Sequence, residues 1–165
     1  MPLAQVIDSP IGPLRLESAD GVALSAIRFD GRTDPNDESA PVLHEAARQL
    51  LEYFAGRRRD FDVPLAPTGT SFQREVWSQV AAVPFGTTAT YGQIAEQVGH
   101  PVSSARAIGA ASGANPIPIM VPCHRIIGAD GTLTGYGGGV ARKQVLLHLE
   151  GVPTEGDQLE LFPAG

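Results

Sequence analysis

The chain has a single cysteine among its 165 residues, which excludes an internal disulfide and leaves Cys123 as either an inert buried thiol or a reactive one. Its four histidines are scattered without metal-ligand spacing, so no metal site is expected. No apolar run approaches the roughly 18 residues of a membrane span. The start, Met1-Pro2-Leu3-Ala4-Gln5, lacks the basic end and apolar stretch of a secretory signal, so a cytoplasmic protein with no membrane contact is expected. A basic excess is also missing. The net charge of -6 argues at first sight against nucleic acid, because phosphate binding normally shows as positive charge. Its distribution softens that objection. Residues 1–69 hold seven Arg against eleven Asp and Glu, and residues 153–165 hold three acids and no base. Residues 70–152 carry Arg74, Arg106, Arg125, Arg142 and Lys143 against Glu75, Glu96, Asp130 and Glu150, which nets +1. An acidic chain can still own a neutral-to-basic binding face.

Ser9-Pro10-Ile11-Gly12-Pro13 separates the apolar runs Leu3–Ile7 and Leu14–Glu17, and Val22–Phe29 follows, which predicts a small antiparallel sheet. Arg32–Ala40 is polar and reads as a loop. From Pro41 onward Leu43, Ala46, Ala47, Leu50, Leu51 and Phe54 form the stripe of an amphipathic helix, with Pro41 in its first turn and Gly56 at its end. The run Arg57–Arg59 after that helix is read as charge favouring its C-terminal dipole rather than as a phosphate site. Pro64–Gly69 breaks the periodicity and marks a boundary.

The second half reads as helical. Thr70 with Gln73 and Thr90 with Gln93 are two capping boxes, opening helices that end at Pro84-Phe85-Gly86 and at Gly99. Ser103 is the expected cap of a third helix, and two short helices joined by a tight Gly-containing turn make a helix-turn-helix candidate. The third helix, Ser103–Ala114, is bare except for Arg106 and Ile108. Its small residues suit close packing on a neighbouring helix or close approach to a DNA backbone, and composition leaves both open.

Asn115-Pro116-Ile117-Pro118-Ile119-Met120-Val121-Pro122-Cys123-His124-Arg125 carries the chemistry. Its prolines forbid a helix and predict a stiff, extended rod that mounts Cys123. A nucleophilic cysteine needs a base and an orienter for that base. His124 is adjacent, but consecutive side chains of an extended segment point apart, so a bridging water is the natural relay. Glu150, after the expected helix Val140–Leu149, is the candidate orienter. Gly135-Tyr136-Gly137-Gly138-Gly139 lacks the Lys and Ser/Thr of a P-loop, so no nucleotide cofactor is expected, but its amides are able to close over a flat ligand.

These residues resemble the O6-alkylguanine-DNA alkyltransferases. Pro122-Cys123-His124-Arg125 is similar to that family's nucleophile motif. Phe72-Gln73 with Val76-Trp77, Pro84-Phe85-Gly86 with Thr90-Tyr91, Ala105-Arg106-Ala107-Ile108-Gly109, Asn115–Ile119, Gly135–Gly139, and Leu146-Leu147 with Glu150 match in order. The likeness is close over residues 68–152 and looser before them. It implies an α+β fold: a ribonuclease-H-like N-terminal lobe (1–67) with an antiparallel sheet and a helix, a mainly helical catalytic lobe (68–152) with the helix-turn-helix, and a tail (153–165).

The implied activity is DNA repair by irreversible transfer of the alkyl group of O6-alkylguanine, or O4-alkylthymine, in a flipped-out base to Cys123. The resemblance gives catalysis to Cys123, His124, Glu150, Tyr91 and Asn115. It gives base recognition to Tyr136, Pro118, Met120 and the main chain near Ile126 and Gly137. The minor groove falls to Arg106 as the inserted residue, with Ala105, Ala107, Ser112, Gly113 and Ser103. Relatives with zinc in the first lobe use cysteines that this lobe lacks, and no cofactor is implied. A monomer is expected, with cooperative assembly on DNA left open. Two other classes compete: a non-catalytic helix-turn-helix module, for which Cys123 is dispensable, and a cysteine hydrolase, which turns over repeatedly. Gln158-Leu159-Glu160-Leu161-Phe162 is similar to peptides that engage the bacterial sliding clamp, although packing of Leu159, Leu161 and Phe162 on the protein's own surface is the favoured account of so short a match.

Overall fold

Ser9 turns the chain back on itself. Its hydroxyl accepts from the Ile11 N–H at 3.2 Å and donates to the Gly12 carbonyl at 2.5 Å. Gly12 takes φ 99°, a left-handed conformation that costs residues with a side chain about 1–2 kcal/mol. The computed structural model describes residues 3–133 and 136–154. In it this turn joins β1 (Leu3–Ile7) to β2 (Leu14–Ser18), antiparallel from Leu3↔Ser18 to Ile7↔Leu14. Strand β3 (Ala26–Arg28) pairs on the other side of β2, giving the order β1-β2-β3. The third strand is shorter than the apolar run Val22–Phe29 predicts. The Asp20 carboxylate takes the N–H groups of Val22 and Ala23 at 2.8 and 3.0 Å, and Leu24 donates to the Pro64 carbonyl instead of to the ladder.

Helix α1 (Pro41–Phe54) has proline in its first turn and Gly56 at φ 77° beyond its end. Leu43, Ala46, Leu50 and Tyr53 are fully buried on it, while Leu51, expected in its apolar stripe, is exposed; Leu14, Leu16 and Ile27 from the strands and Leu24 from the segment before β3 are buried in the same core. Each buried leucine or isoleucine contributes about 1.5–3 kcal/mol. The polar loop after β3 is held by Arg15, a β2 residue that is only 2% exposed. Its guanidinium forks onto the two Asp37 oxygens at 2.7 and 2.9 Å, donates to Glu17 at 2.7 Å and reaches the Arg32 carbonyl at 2.9 Å. Arg15 in turn holds the Asp37 carboxyl at about 2, below its ordinary 3.8.

The chain forms two units, Met1–Thr68 with Pro116–Met120, and Gly69–Asn115 with Val121–Gly165. The short segment of the first unit is tied in by the Ile27 N–H, which donates to the Pro116 carbonyl at 2.9 Å. The second unit contains α2 (Ser71–Ala81), β4 (Ala89–Thr90), α3 (Tyr91–Gln97), α4 (Ala105–Gly113), β5 (Ile126–Ile127) and α5 (Val140–Leu149). Both expected capping boxes are formed, Thr70 with Gln73 and Thr90 with Gln93. Trp77 of α2 donates from its indole to the Ala111 carbonyl of α4 at 2.8 Å. Gly69 lies against that ring, where a Cβ would come within 2.5 Å. The predicted α+β class, a sheet with a helix followed by helices, is the observed one. No helix among the described residues is long and apolar enough to cross a membrane.

Candidate active site

Two turns give the nucleophile segment a shape that the prolines do not predict. Ile119 takes φ 75°, a left-handed conformation rare for a β-branched residue. Pro122, at φ -81° and ψ 63°, sits in an inverse γ-turn, closed by the Cys123 N–H donating to the Val121 carbonyl at 2.8 Å. Cys123–Arg125 then form one 3-10 turn. The expected straight rod is therefore wrong. The physical reason is that proline excludes helix but is at home in turns as well as in extended chain.

Within the second unit the turn gathers the reactive groups. The Asn115 amide, just beyond α4, donates to the Val121 carbonyl at 2.8 Å and to the Cys123 sulfur at 3.2 Å. The buried Ser112 hydroxyl, without a hydrogen-bond partner of good geometry, also favours the charged sulfur. Burial prevails over both and pushes the thiol up to about 11 from 9.0, so the resting group is a neutral thiol. His124, fully buried, donates from Nε2 to Glu150 Oε2 at 2.6 Å. A carboxylate only accepts, so Nε2 carries the hydrogen and Nδ1, which has no hydrogen-bond partner in the protein, is the basic nitrogen. Burial pushes His124 below its ordinary 6.5, and Arg125 and Lys143 act in the same sense against Glu150. The arrangement is a neutral base beside a neutral thiol.

The parallel pair β4–β5, with Ala89↔Ile126 and Thr90↔Ile127, sets Tyr91 at the start of α3 beside Ile126. Lys143 of α5 bridges them, donating to the Ile126 carbonyl and to the Tyr91 hydroxyl, the latter at 3.3 Å. Burial lowers Lys143 to about 8. Tyr136 is buried and its phenol is pushed up by that burial. Gly137 approaches α4 so closely that a Cβ would lie 3.1 Å from the Gly113 carbonyl. Pro118 and Met120 are both buried, in the segment that belongs with the first unit.

On α4 the exposed face consists of Arg106 with Ala107, Ala110 and Gly113, while Ala105 is half-buried. Two sequence expectations need correction. Ser112, expected on that face, points inward with Ile108 and Ala111 and is 3% exposed, because it lies four residues after Ile108 and so shares its side of the helix. Ser103, expected to cap the helix, is an exposed residue of a 3-10 turn over Val102–Ser104, and the cap position falls to Ser104, which makes no capping hydrogen bond.

Two charged residues of the cluster were not among the sequence candidates. Arg125 donates to Glu150 from Nε at 2.8 Å and from a terminal nitrogen at 3.0 Å. Lys143 is the other, and its signal was available: it is the chain's one lysine, inside an otherwise apolar helix face. Among the described residues no group of His, Cys, Asp and Glu is placed to hold a metal ion.

Comparison with known proteins points to one family. Residues 71–152 match the model of the 6-O-methylguanine DNA methyltransferase DNA binding domain, and residues 3–67 match that of the ribonuclease-like domain of the same proteins. The methylated-DNA–protein-cysteine methyltransferase of Mycolicibacterium paratuberculosis is 48% identical over 150 residues, covering 88% of this chain and 90% of that protein. The protein of the same name from Methanosarcina acetivorans is 47% identical over 152 residues, covering 88% and 96%. The crystal structure of Mycobacterium tuberculosis OGT in complex with DNA superposes with a TM-score of 0.80 at 49% identity, covering 89% of this chain and 91% of that one.

Proposed function

The chain belongs to the 6-O-methylguanine DNA methyltransferase family, and from that premise we propose that it repairs DNA by moving the alkyl group of O6-alkylguanine onto Cys123. The observation that carries this reading is a pair of hydrogen bonds that meet on one buried turn, Asn115 to the Cys123 sulfur and the adjacent His124 to Glu150. A base stacked in a duplex is out of reach of such a sulfur. The damaged nucleotide is flipped out at a cost of a few kcal/mol, with Arg106 entering the stack from the small-residue face of α4 and filling the gap.

The thiol yields its proton through a water to His124 Nδ1, while Glu150 stabilises the imidazolium from the other side; a positioned base of this kind contributes about 10²–10⁴ in rate. The sulfur attacks the alkyl carbon in line, the carbon–O6 bond breaks, and its electron pair moves onto the purine. An O6-alkylated guanine lacks the N1 hydrogen of guanine, so the thiol proton ends on the departing base and the reaction balances without acid or base from solvent. Tyr91, supported by Lys143, donates to the purine as charge develops, and the main chain near Ile126 and Gly137 reads the base edge beside Tyr136. O4-alkylthymine follows the same course. A thioether does not hydrolyse, so each molecule acts once.

A titration of a duplex carrying O6-methylguanine tests this: transfer stops at one methyl group per protein, whereas continued turnover, or hydrolysis of small acyl esters, contradicts it. A cytoplasmic protein that is a monomer in solution is part of the same proposal; sedimentation without duplex checks the monomer, and sedimentation with duplex decides whether copies assemble on DNA. The tail Gln158–Phe162 lies outside the described residues. Its likeness to clamp-binding peptides rests on sequence alone, and a synthetic tail peptide that fails to bind the clamp at high micromolar concentration removes it.

A further inference from the structure

Glu150 serves two cations. His124 takes one of its oxygens, but Arg125, the next residue, takes both, and the Gly86 N–H donates to Oε1 at 3.2 Å. The other terminal nitrogen of Arg125 donates to the Val83 carbonyl at 2.7 Å, and its guanidinium carbon stands 5.7 Å from the centre of the Phe85 ring. The guanidinium is thus fixed on one side by the turn after α2 and grips the carboxylate on the other. A planar fork on two oxygens sets the plane of the carboxylate as well as its place.

We propose that Arg125 is a positioning residue of the alkyl transfer: it orients Glu150 so that His124 keeps its hydrogen on Nε2 and presents Nδ1 as the base. The inference rests on the transfer reading given above and deepens it. A carboxylate free to rotate would offer its lone pairs in several directions, and the imidazole would divide between two tautomers. With Arg125 in place the carboxylate has one orientation, and four N–H groups point at its two oxygens. The positive charge has a second consequence. Acting on His124 are Glu150 and Lys143 from α5 and its cap and Arg125 from its own turn; α2 also packs on the turn, but its charged residues Arg74 and Glu75 are exposed. Arg125 and Lys143 both disfavour a resting imidazolium, and so keep the base able to accept a proton.

Two substitutions separate orientation from charge. Arg125→Lys keeps the charge and loses the fork, whereas Arg125→Met loses both. The readouts are the pH profile of single-turnover transfer and the nitrogen-15 spectrum of His124 in the free protein. Arg125→Lys is expected to slow transfer about tenfold, and to replace the single Nε2–H pattern with a mixture of tautomers, because one ammonium cannot fix both oxygens. In Arg125→Met the acid limb of the profile is expected to move up by about one pH unit, since a neighbouring cation no longer opposes the imidazolium. A purely structural arginine predicts slower transfer with an unmoved acid limb and an unchanged histidine spectrum in both variants, and that result overturns the proposal. Should Arg125→Met fail to fold, the Arg125→Lys spectrum decides alone: a tautomer mixture supports the proposal, and the intact Nε2–H pattern overturns it. The spectrum needs no DNA, so its outcome is distinct from a failure of the unsubstituted protein to take up alkyl groups, which would count against the transfer reading itself.

Discussion

Each unit of the chain buries an arginine against carboxylates, and the two centres differ in what the carboxylate does next. In the first unit Arg15 forks onto Asp37 and also holds Glu17, which itself accepts from Arg28 at 2.9 Å. Every partner of that carboxylate pair is an arginine or backbone, so the centre holds a loop to a sheet. In the second unit Arg125 forks onto Glu150, and the same carboxylate also accepts from a histidine next to the only thiol. In the proposed mechanism, one added imidazole converts a structural tie into the end of a proton path. Buried ion pairs are weak evidence for net stability, because desolvation offsets much of their attraction. As proposed, the second centre serves orientation, which the first does not need beyond its loop.

That contrast is broken most severely at Glu150. Glu150→Gln should slow alkyl transfer by about 10²–10⁴, and should also destabilise the second unit, by about 3–5 kcal/mol, because Arg125 is left buried without its counter-charge; single-turnover assays and urea melts read the two effects. Arg106→Ala comes next. It should reduce transfer from duplex by about 10–100-fold, as flipping loses the side chain that offsets a few kcal/mol of unstacking, while transfer from the free O6-alkylated base is unchanged. In the first unit Leu50→Ala should cost about 2–5 kcal/mol through a cavity in the core, with the transfer rate per folded molecule unaltered.

The pH dependences sharpen the comparison further. Because His124 is held below 6.5, transfer should stay level from neutral pH down past that value and fall only in more acid solution, where Nδ1 is protonated. Direct attack by a free thiolate would instead climb with pH toward about 11, where the buried thiol ionises. The smallest effect belongs to the first unit. Asp37 has its carboxyl depressed to about 2, so its contribution to stability is present above 3.8 and is lost as pH falls through 2. Asp37→Asn should therefore flatten the acid-denaturation curve within that window and leave transfer untouched.

Local signals carried far in the sequence. The two capping boxes, most of the stripe of α1 and the glycine and proline stops each depend on neighbours within a few residues, and the structure forms those elements where the spacing puts them, although Leu51 of the stripe faces outward and is exposed. Glu150 was legible as a candidate orienter at the end of the expected helix Val140–Leu149 and was reinforced by the resemblance, although alone it reads as a surface acid. What stayed hidden depends on torsion or on distant partners. The left-handed Ile119 and the inverse γ-turn at Pro122 are states that proline content permits without specifying. Ser112 looked like a small surface residue until the rotation of α4 placed it beside the sulfur. Arg125 and Lys143 read as countable positive charge, because only the fold shows that both are buried, one on a carboxylate 25 residues away and the other on the Ile126 carbonyl.

The direct test is the mass of the protein after incubation with a duplex containing O6-methylguanine, followed by peptide mapping. The expected product has gained one methyl group, located on Cys123, with guanine restored in the DNA and no uptake by Cys123→Ser. An unmodified Cys123 alongside repaired DNA, or a methyl group on any other residue, would contradict the account.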